Sequence, residues 1–307
     1  MRAVTLDSFE TQPALREDVA EPSPRSGELV VRVRASSVNP VDAFIAMGAL
    51  RERVEHEFPL TLGRDFAGVV ERVGVDVTRH RAGDEVFGFL PATNPTVRDG
   101  SWAELIVLPE DDFVAAKPDG VDTASAGAAP VAALTAIAAF DALSPAEGED
   151  VLVVGATGGV GSFFVQLAAS AGANVIAPAL AEDEVYLRDL GAGEILDRDS
   201  DVAAAVRETH PDGVAAVFDV VSRAPDASLL AEGGRLASPL GAAGEGAGRF
   251  NVMAVPSPAN LQRLGELLAA GTLRVPIQRT YPLEQAGEAL QELPATHTRG
   301  KLGVTVA

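Results

Sequence analysis

Small residues stand at the spacing of a nucleotide-binding turn in the stretch "VLVVGATGGVGSFFVQLA", residues 151–168. Ala156, Gly158 and Gly161 occupy the places where such a turn needs a tight bend, an open approach for a pyrophosphate, and close packing of helix on strand. The free N–H groups and the positive dipole end of the next helix would face the anion. Glycine can serve a turn through its φ angle alone, but an apolar strand before the turn and an amphipathic helix after it favour a dinucleotide site.

The elements around this turn alternate between strand and helix. "VLVVG" is typical of a buried strand, and "SFFVQLAASAG" of a helix that Gly172 ends. Further strands are predicted at 174–177, 194–196, 214–221, 234–241 and 250–255, with a helix at 201–209. Repeated βα units of this length predict a parallel, doubly wound sheet.

Both ends of the chain have a different pattern. "ELVVRVRASSV", "DFAGVVERVG" and "GDEVFGF" are short runs of strand character closed by glycine, which predict a small twisted barrel with long loops. After a predicted helix at 258–270, the runs "LRVPIQRTYPL" and "GKLGVTVA" again indicate strands. We therefore expect the tail to return to the first domain.

Composition limits the classes of function. The chain has 307 residues, a formal charge of −20, no cysteine, and two lysines, Lys117 and Lys301. These numbers exclude disulfides, a thiolate nucleophile and a cysteine zinc site, and they disfavour nucleic acid and anionic lipid as partners. No signal or membrane-spanning segment is visible, so we expect a cytoplasmic protein. The four histidines, at positions 56, 80, 210 and 297, have no paired metal-ligand spacing, and we interpret them as loop or surface residues.

Several segments together resemble the zinc-lacking, quinone oxidoreductase-like branch of the medium-chain dehydrogenase/reductase superfamily. They follow the order of that family over nearly the whole chain: "MRAVTLDSF", "SSVNPVD", "LGRDFAGVVERVG", "GDEVFGF", "GSWAELIVLP", "AALTA", "GATGGVGSFFVQLA" and "RGKLGVTV". The resemblance implies an α/β protein with a GroES-like β-barrel catalytic domain, residues 1–121 and 272–307, and a Rossmann doubly wound parallel sheet, residues 122–271. It also implies a homodimer formed through the last Rossmann strand, "RFNVMAV".

The activity implied by the resemblance is hydride transfer from NADPH or NADH to a quinone, an enone or another activated double bond. Asn39 would donate a hydrogen bond to the substrate oxygen or orient the nicotinamide, and Thr135 would lie against the nicotinamide. The implied cofactor-binding residues are Ala156, Thr157, Gly158, Gly159, Val160, Gly161, Leu180, Val221, Gly241 and Lys301. Asn39 could instead be a turn residue before Pro40, and Thr135 a helix hydroxyl bonded to its own backbone.

No metal is expected, because Asn39 stands where the zinc branch has cysteine and Arg64 where it has histidine. The resemblance places Phe44, Arg64 and Trp102 at the substrate pocket, and Trp102 could either stack on a flat substrate or pack the barrel. Relatives often have tyrosine and arginine where this chain has Phe44 and Ala46. The loops at 44–60 and 90–100 should line the pocket; their few polar side chains, at Arg51, Arg53, Asn94 and Arg98, suggest a bulky, mostly apolar ligand.

The choice of cofactor should be made just after the second Rossmann strand. The family positions that often carry Ser or Thr and a basic residue for NADPH hold Ala179, Leu180, Glu182 and Asp183 here. Carboxylates repel a 2′-phosphate, while Ala177 and Pro178 cannot accept a hydrogen bond from a ribose. We therefore predict a weak or absent preference for NADPH, although Arg188 or Arg223 could reach the phosphate from elsewhere.

A second hypothesis is a family member redirected to non-redox chemistry, such as cyclisation or isomerisation, or to ligand sensing in a biosynthetic pathway. The missing tyrosine, arginine and phosphate contacts motivate it. A hydrolase is disfavoured because no G-x-S-x-G motif occurs. A short-chain reductase is disfavoured because neither Tyr186 nor Tyr281 has a lysine nearby in sequence.

Overall fold

The computed structural model describes residues 1–92, 96–295 and 297–307, so Asn94 of the expected pocket loop lies outside the described residues. The chain forms two compact units. The first unit consists of Met1–Val131, Pro256–Ala270 and Ile277–Ala307. The second unit consists of Ala132–Val255 and Gly271–Pro276.

The strands of the described residues are, in chain order, β1 (Ala3–Leu6), β2 (Ala14–Arg16), β3 (Glu28–Val38), β4 (Glu55–His56), β5 (Leu60–Thr61), β6 (Asp65–Val73), β7 (Glu85–Phe89), β8 (Thr96–Val97), β9 (Leu105–Pro109), β10 (Val114–Ala116), β11 (Asp150–Val154), β12 (Asn174–Ala179), β13 (Glu194–Asp197), β14 (Val214–Asp219), β15 (Leu230–Ser238), β16 (Arg249–Asn251), β17 (Ile277–Pro282) and β18 (Lys301–Thr305). The helices are α1 (Pro40–Ala46), α2 (Thr123–Ala128), α3 (Pro130–Leu143), α4 (Gly159–Ser170), α5 (Glu184–Asp189), α6 (Val202–Thr209), α7 (Pro258–Ala269) and α8 (Ala286–Ala295).

The long strand β3 organises the first unit. Leu29, Val31 and Val33 alternate along it and join the hydrophobic core, as a strand with one buried face requires. One edge of β3 pairs with β6, while its other edge pairs first with β9 and then with β18. The resulting order is β10-β7-β6-β3-β18-β17, with β2-β1-β5 forming a separate three-stranded sheet.

The described strands of the first unit do not close into a continuous barrel. The large sheet begins at β10 and ends at β17, and these two edge strands do not pair. The reason lies on β3, because β9 and β18 share a single edge of this strand and leave no continuous ring of hydrogen bonds. The GroES-like part is therefore a set of open sheets around one core.

The second unit is a parallel sheet in the order β13-β12-β11-β14-β15-β16. The strand order reverses at β11, which has β12 on one side and β14 on the other. Open sheets of this kind bind ligands at the carboxyl ends of the strands at such a switch point. Helix α4 connects β11 to β12 and packs Phe164 on Phe218 of β14, with ring centroids 4.5 Å apart. The predicted α/β class with a Rossmann-like sheet is confirmed.

Some bounds of the units and strands differ from the sequence-based expectations. Helices α2 and α7 belong to the first compact unit, whereas the expected boundaries at 122 and 271 would place them in the Rossmann domain. Those domain boundaries stay a prediction. The last Rossmann strand ends at Asn251 rather than at residue 255, and the N–H of Val252 makes a final bond to Ser238 O before the chain leaves the sheet.

Within the described parts of the chain, no helix has the length and apolar character needed to cross a membrane.

Candidate functional site

The glycine turn of the second unit follows β11 directly. Gly155 has φ +86°, and a Cβ there would come within 2.6 Å of side-chain carbons of Val220 and Val221. A Cβ on Gly161 would lie 2.1 Å from the carbonyl oxygen of Gly155. Only glycine therefore lets α4 pack this closely on the turn.

Gly158 meets a different requirement. It precedes α4 with φ −73° and ψ 176°, a conformation that any residue adopts, and a Cβ there would meet nothing closer than Gly155 O at 3.7 Å. Its backbone angles and its packing therefore do not require glycine, and its lack of a side chain keeps space open beside the first turn of α4. Backbone N–H groups of a first helical turn have no partner within the helix. This cradle fits the pyrophosphate of a dinucleotide.

The other predicted cofactor residues of the second unit lie on its loops and its first helical turn. Thr157 is buried, and its carbonyl oxygen accepts the Tyr186 hydroxyl at 3.5 Å. Val221 is exposed after β14, with its N–H donated to Asp219 Oδ1 at 2.9 Å. Gly241 has φ +72° with open space around it. The remaining members are buried (Ala156, Gly161) or half-buried (Gly159, Val160, Leu180).

The segment after β12, to which the sequence analysis assigned the choice of cofactor, carries carboxylates. Leu180 precedes a short 3₁₀ turn, Ala181–Asp183, in which Glu182 is exposed and Asp183 is buried. Arg188, a predicted alternative cation, donates to Glu184 Oε1 at 2.8 Å and to Gly193 O at 3.1 Å. Arg223 lies exposed after β14.

In the first unit, one buried carboxylate joins three strands and a helix. Asp65, the first residue of β6, accepts the Ser37 hydroxyl at 2.6 Å and the Asn39 amide at 2.8 Å on Oδ2. Its other oxygen accepts the N–H of Val131, at the start of α3, at 2.7 Å. The ammonium of Lys301 completes the set at 3.4 Å from Oδ2. Asp65 is thus fully buried but bonded on both oxygens.

Lys301 has no donor left for a cofactor. Its ammonium donates to Val38 O, Asn39 Oδ1 and Asp65 Oδ2, and an ammonium has three N–H groups. Burial lowers the pKa of Lys301 below its usual value, against the opposing charges of Asp65 and Asp42. In this arrangement Lys301 balances the buried carboxylate.

Both the amide nitrogen and the amide oxygen of the Asn39 side chain have hydrogen-bond partners. Its amide nitrogen donates to Asp65 and, at 3.3 Å, to Ser37, while its oxygen accepts from Lys301. The contacts therefore favour orientation over direct donation to a substrate. Thr135, the other predicted catalytic residue, lies buried on α3 in the second unit, and so the two residues belong to different units.

A second buried acid, Asp42, lies in the first turn of α1. Its Oδ2 accepts the Asn39 N–H at 2.8 Å, and its Oδ1 lies 4.0 Å from Nε of Arg64. Neither Oδ1 nor Nε has a hydrogen-bond partner. Burial raises the pKa of Asp42 to about 7, although the Arg64 guanidinium and the Asn39 N–H oppose the rise. Burial also lowers the pKa of Arg64, against the opposing charge of Asp42.

The predicted pocket residues differ in exposure. Phe44 is 41% exposed on α1. Trp102 is fully buried, donates its indole N–H to Ser37 O at 3.1 Å, and lies so close to Gly63 that a Cβ there would come 2.2 Å from the ring. These contacts favour the packing alternative for Trp102. Arg64 is also buried.

Sequence reasoning missed several members of this cluster. Asp42, Asp65 and Ser37 lie within the quoted segments "SSVNPVD" and "LGRDFAG" but were given no role. The available signal was a set of polar residues in apolar surroundings, since buried polar groups need partners. In the second unit, His210 was interpreted as a loop or surface residue, yet its two ring nitrogens lie 3.0 Å from Asp150 Oδ2 and 3.0 Å from Glu194 Oε2. Within the described ranges, no group of three or more His, Cys, Asp or Glu side chains is arranged to hold a metal ion.

Comparison with known proteins gives consistent matches over both units. Residues 25–119 match the alcohol dehydrogenase GroES-like domain, and residues 190–303 match a family described as zinc-binding dehydrogenase. The chloroplast envelope quinone oxidoreductase homolog of Arabidopsis thaliana is 30% identical over 92% of this chain and 91% of its own length. The quinone oxidoreductase of Sus scrofa is 30% identical over 94% and 91%. The structure of the quinone oxidoreductase from Coxiella burnetii has a TM-score of 0.87 at 28% identity, covering 100% and 99% of the two chains.

Proposed function

The chain belongs to the quinone oxidoreductase-like branch of the medium-chain dehydrogenase/reductase superfamily, a group of NAD(P)H-dependent oxidoreductases, and from this premise we propose its reaction. It reduces a quinone, an enone or a similar activated double bond on a bulky apolar substrate, without zinc. The observation that carries the proposal is the open cradle at Gly158, beside a helix whose first N–H groups are unbonded within the helix. A pyrophosphate fits there without displacing a side chain.

When bound, reduced nicotinamide would supply the hydride for the activated double bond, and water would supply the proton that completes the product. The chain's own residues would bind the cofactor and orient it. Gly158, Gly159, Val160 and Gly161 would hold the pyrophosphate through backbone N–H groups. Thr135 would lie against the nicotinamide, as the family position suggests.

The residues in the buried cluster support the proposal of zinc independence. Two cations, Arg64 and Lys301, already balance two carboxylates, Asp42 and Asp65. A divalent cation would add repulsion from both cationic groups, and neither amide nor guanidinium is a good zinc ligand. Within this cluster Asp65 would fix the orientation of Asn39, so that Asn39 acts as a positioning residue.

The preference for NADPH over NADH is proposed to be weak or absent. Glu182 is exposed where a 2′-phosphate would come, and Arg188 is already bonded to Glu184 and Gly193. Titration of NADH and NADPH under identical conditions should give dissociation constants within about tenfold of each other. Much tighter binding of NADPH would argue for a cation, such as Arg223, that reaches the phosphate.

The main test of the proposed function follows the nicotinamide absorbance with a panel of quinones and enones. Turnover is expected with at least one apolar acceptor. Tight binding of such molecules without oxidation of either cofactor would instead favour the redirected, non-redox alternative. The oligomeric state, proposed as a dimer through the edge strand β16, can be measured on the same sample by light scattering.

The role of the turn is tested by two glycine variants. Gly158→Ala should fold normally, because its backbone angles suit alanine and its Cβ meets no atom closer than 3.7 Å. It should weaken both nucleotides by about tenfold or more, since the methyl group enters the cradle. Gly161→Ala should instead lower thermal stability through its clash with Gly155 O. Unchanged nucleotide affinity in Gly158→Ala would refute the assignment of the cradle.

A further inference from the structure

The turn after β14 lies directly beside the glycine turn after β11. Val154 and Asp219 are register partners at the ends of these two parallel strands, and the N–H of Val220 bonds to Val154 O at 3.1 Å just beyond them. A Cβ on Gly155 would come within 2.6 Å of methyl carbons of both Val220 and Val221. Gly155 therefore lets the two valines pack against its backbone, and the two turns form adjacent walls at the carboxyl ends of the strands.

A buried carboxylate fixes the conformation of the turn after β14. Asp219 is 2% exposed, and its Oδ1 accepts the N–H of Val221 at 2.9 Å and the N–H of Ser222 at 2.7 Å. Hydrogen bonds to a carboxylate are among the stronger ones in a folded protein. Because one oxygen holds both N–H groups, the backbone at both residues is fixed relative to the end of the strand. Asp219 therefore sets the direction in which the side chain of Val221 leaves the turn.

Val221 presents an apolar side chain at the opening between the two turns. One side of it packs against Gly155, while the residue as a whole is 61% exposed. Single exposed valines are common on protein surfaces. Val221 differs from these because a buried carboxylate fixes its backbone and a glycine makes room for its methyl groups.

The position of this valine relates it to one half of a dinucleotide. Strand β11 has β12 on one side and β14 on the other, and ligands of open parallel sheets bind across such a reversal of strand order. With the pyrophosphate at the cradle beside Gly158, the adenosine half extends towards the end of β12. The nicotinamide nucleoside then extends towards the end of β14, where Val221 lies.

We propose that Asp219 is a positioning residue for the nicotinamide half of the cofactor and that it acts through Val221. The inference rests on the proposed reductase function and adds to it a residue outside the glycine turn. Val221 would form an apolar wall for the nicotinamide nucleoside, and Asp219 would keep that wall in place. Because the turn is already held by two hydrogen bonds, little conformational freedom is lost there when the cofactor binds.

Two kinds of ligand separate the halves of the cofactor. ADP supplies adenosine and a pyrophosphate, whereas NADH and NADPH supply the nicotinamide nucleoside in addition. Isothermal titration calorimetry of the full-length chain should give dissociation constants for both reduced cofactors about fivefold higher in Asp219→Ala than in the wild type, because the apolar contact at Val221 is lost. The dissociation constant for ADP should change by less than about twofold. Gly158→Ala should instead weaken all three ligands.

Three further variants show whether Asp219 acts through Val221. Asp219→Asn keeps an oxygen that can accept both N–H groups, and it should restore most of the affinity lost in Asp219→Ala. Val221→Ala should weaken the reduced cofactors about fivefold, because it removes the apolar wall itself. Asp219→Ala combined with Val221→Ala should weaken them no more than either single change, since both changes remove the same contact.

Asp226 supplies a matched control. It accepts the N–H of Ser228 at 3.0 Å in the turn before β15, at the amino end of that strand. Asp226→Ala therefore removes a carboxylate that holds a turn at the opposite edge of the sheet, and it should leave the affinity for all three ligands unchanged.

Several outcomes would overturn the proposal. Wild-type affinity for the reduced cofactors in Asp219→Ala would do so, as would an equal loss for ADP, which indicates a general disturbance of the sheet. Additive losses in the double variant would refute action through Val221. Val221→Ala changes an exposed side chain and tests the wall even where Asp219→Ala does not fold, so unchanged binding in Val221→Ala also refutes the proposal. Failure of the wild type to bind either reduced cofactor would refute it as well.

The positioning role and the reductase function fail separately. If the wild type oxidises NADH or NADPH with a quinone or an enone while Asp219→Ala keeps wild-type affinity, the reductase function stands and the role of Asp219 is refuted. If affinity for the reduced cofactors depends on Asp219 but no acceptor supports their oxidation, the positioning role stands and the reductase function is refuted.

Discussion

The two units build their sites by opposite means. The first unit buries two carboxylates, Asp42 and Asp65, beside two cations, Arg64 and Lys301. The second unit offers backbone N–H groups beside Gly158, with no charged side chain in the turn itself. The cluster in the first unit depends on balanced buried charges, whereas the turn in the second unit depends on residues without side chains.

This difference decides which substitutions each site tolerates. A buried charge that loses its partner keeps its desolvation cost without the compensating attraction, so the first site should be sensitive to changes of charge even where the side-chain volume is kept. The glycine turn should be sensitive to added atoms and indifferent to charge at a distance. Three predictions test this contrast, beginning with the largest expected effect.

Lys301→Met should destabilise the first unit by about 3–5 kcal/mol, because Asp65 would stay buried without its ammonium partner. Urea unfolding at neutral pH measures the loss. The other lysine supplies a matched control: Lys117 bonds to Val121 O at 2.8 Å and faces the more exposed Glu85, and Lys117→Met should cost clearly less. Equal costs for the two variants would remove the claimed dependence on buried charge balance.

Asp42→Asn should change how stability depends on pH. Burial raises the pKa of Asp42 from 3.8 to about 7, so the folded chain holds a proton that the unfolded carboxyl releases. This group therefore lowers the free energy of unfolding as pH rises from about 4 to about 7, by an amount of a few kcal/mol in total. The asparagine variant lacks this contribution, so its stability relative to the wild type should increase across that window.

Urea unfolding of both chains at several pH values between 4 and 8 measures the difference, in which other titrating groups largely cancel. Asparagine can still accept the N–H of Asn39 through its amide oxygen, so the local turn is kept. Below about pH 7 the folded Asp42 is protonated, so the asparagine variant removes no negative charge from beside Arg64 in this window. A difference between the two chains that is flat with pH would show that Asp42 is ionised throughout the window.

His210→Ala should cost about 1–2 kcal/mol, because it removes the group that separates Asp150 from Glu194. These residues begin β11 and β13, at the amino ends of the strands, whereas the glycine turn follows the carboxyl end of β11. Nucleotide affinity should therefore stay unchanged. A double-mutant cycle with Glu194→Gln isolates the pairwise energy, and a coupling of zero would mean that the contact contributes nothing to stability.

The glycine turn was predictable because its requirements are local. Gly155 and Gly161 lie within one strand-to-helix connection, and their spacing alone predicts that the helix packs closely on the turn. The charged cluster was not predictable in the same way, since Asp65 and Lys301 are 236 positions apart and meet only after β18 pairs with β3. The partners of His210, 60 and 16 positions away, were hidden for the same reason.

The GroES-like domain was predicted, but the openness of its large sheet was not. Alternating apolar residues predicted β3 correctly. Such alternation shows which side chains of a strand are buried, but it does not show which strands pair with each of its edges. Two partners on one edge of β3 opened the sheet. Exposure was equally hard to foresee from the sequence: Trp102 is buried in the core, whereas Phe44 is 41% exposed.

The position of β18 near the end of the sequence determines which unit can be completed first during synthesis. All six strands of the second unit lie within residues 150–251, whereas the first unit needs residues 301–305 to pair with the end of β3. Domains generally fold as units while the ribosome is still adding residues. At that stage the nascent chain carries the complete parallel sheet of the second unit and an incomplete first unit. In the first unit, the end of β3 that pairs with β18 is still unpaired, and Asp65 still lacks the ammonium of Lys301. During that interval the unpaired edge of β3 offers free backbone N–H and C=O groups to other strands.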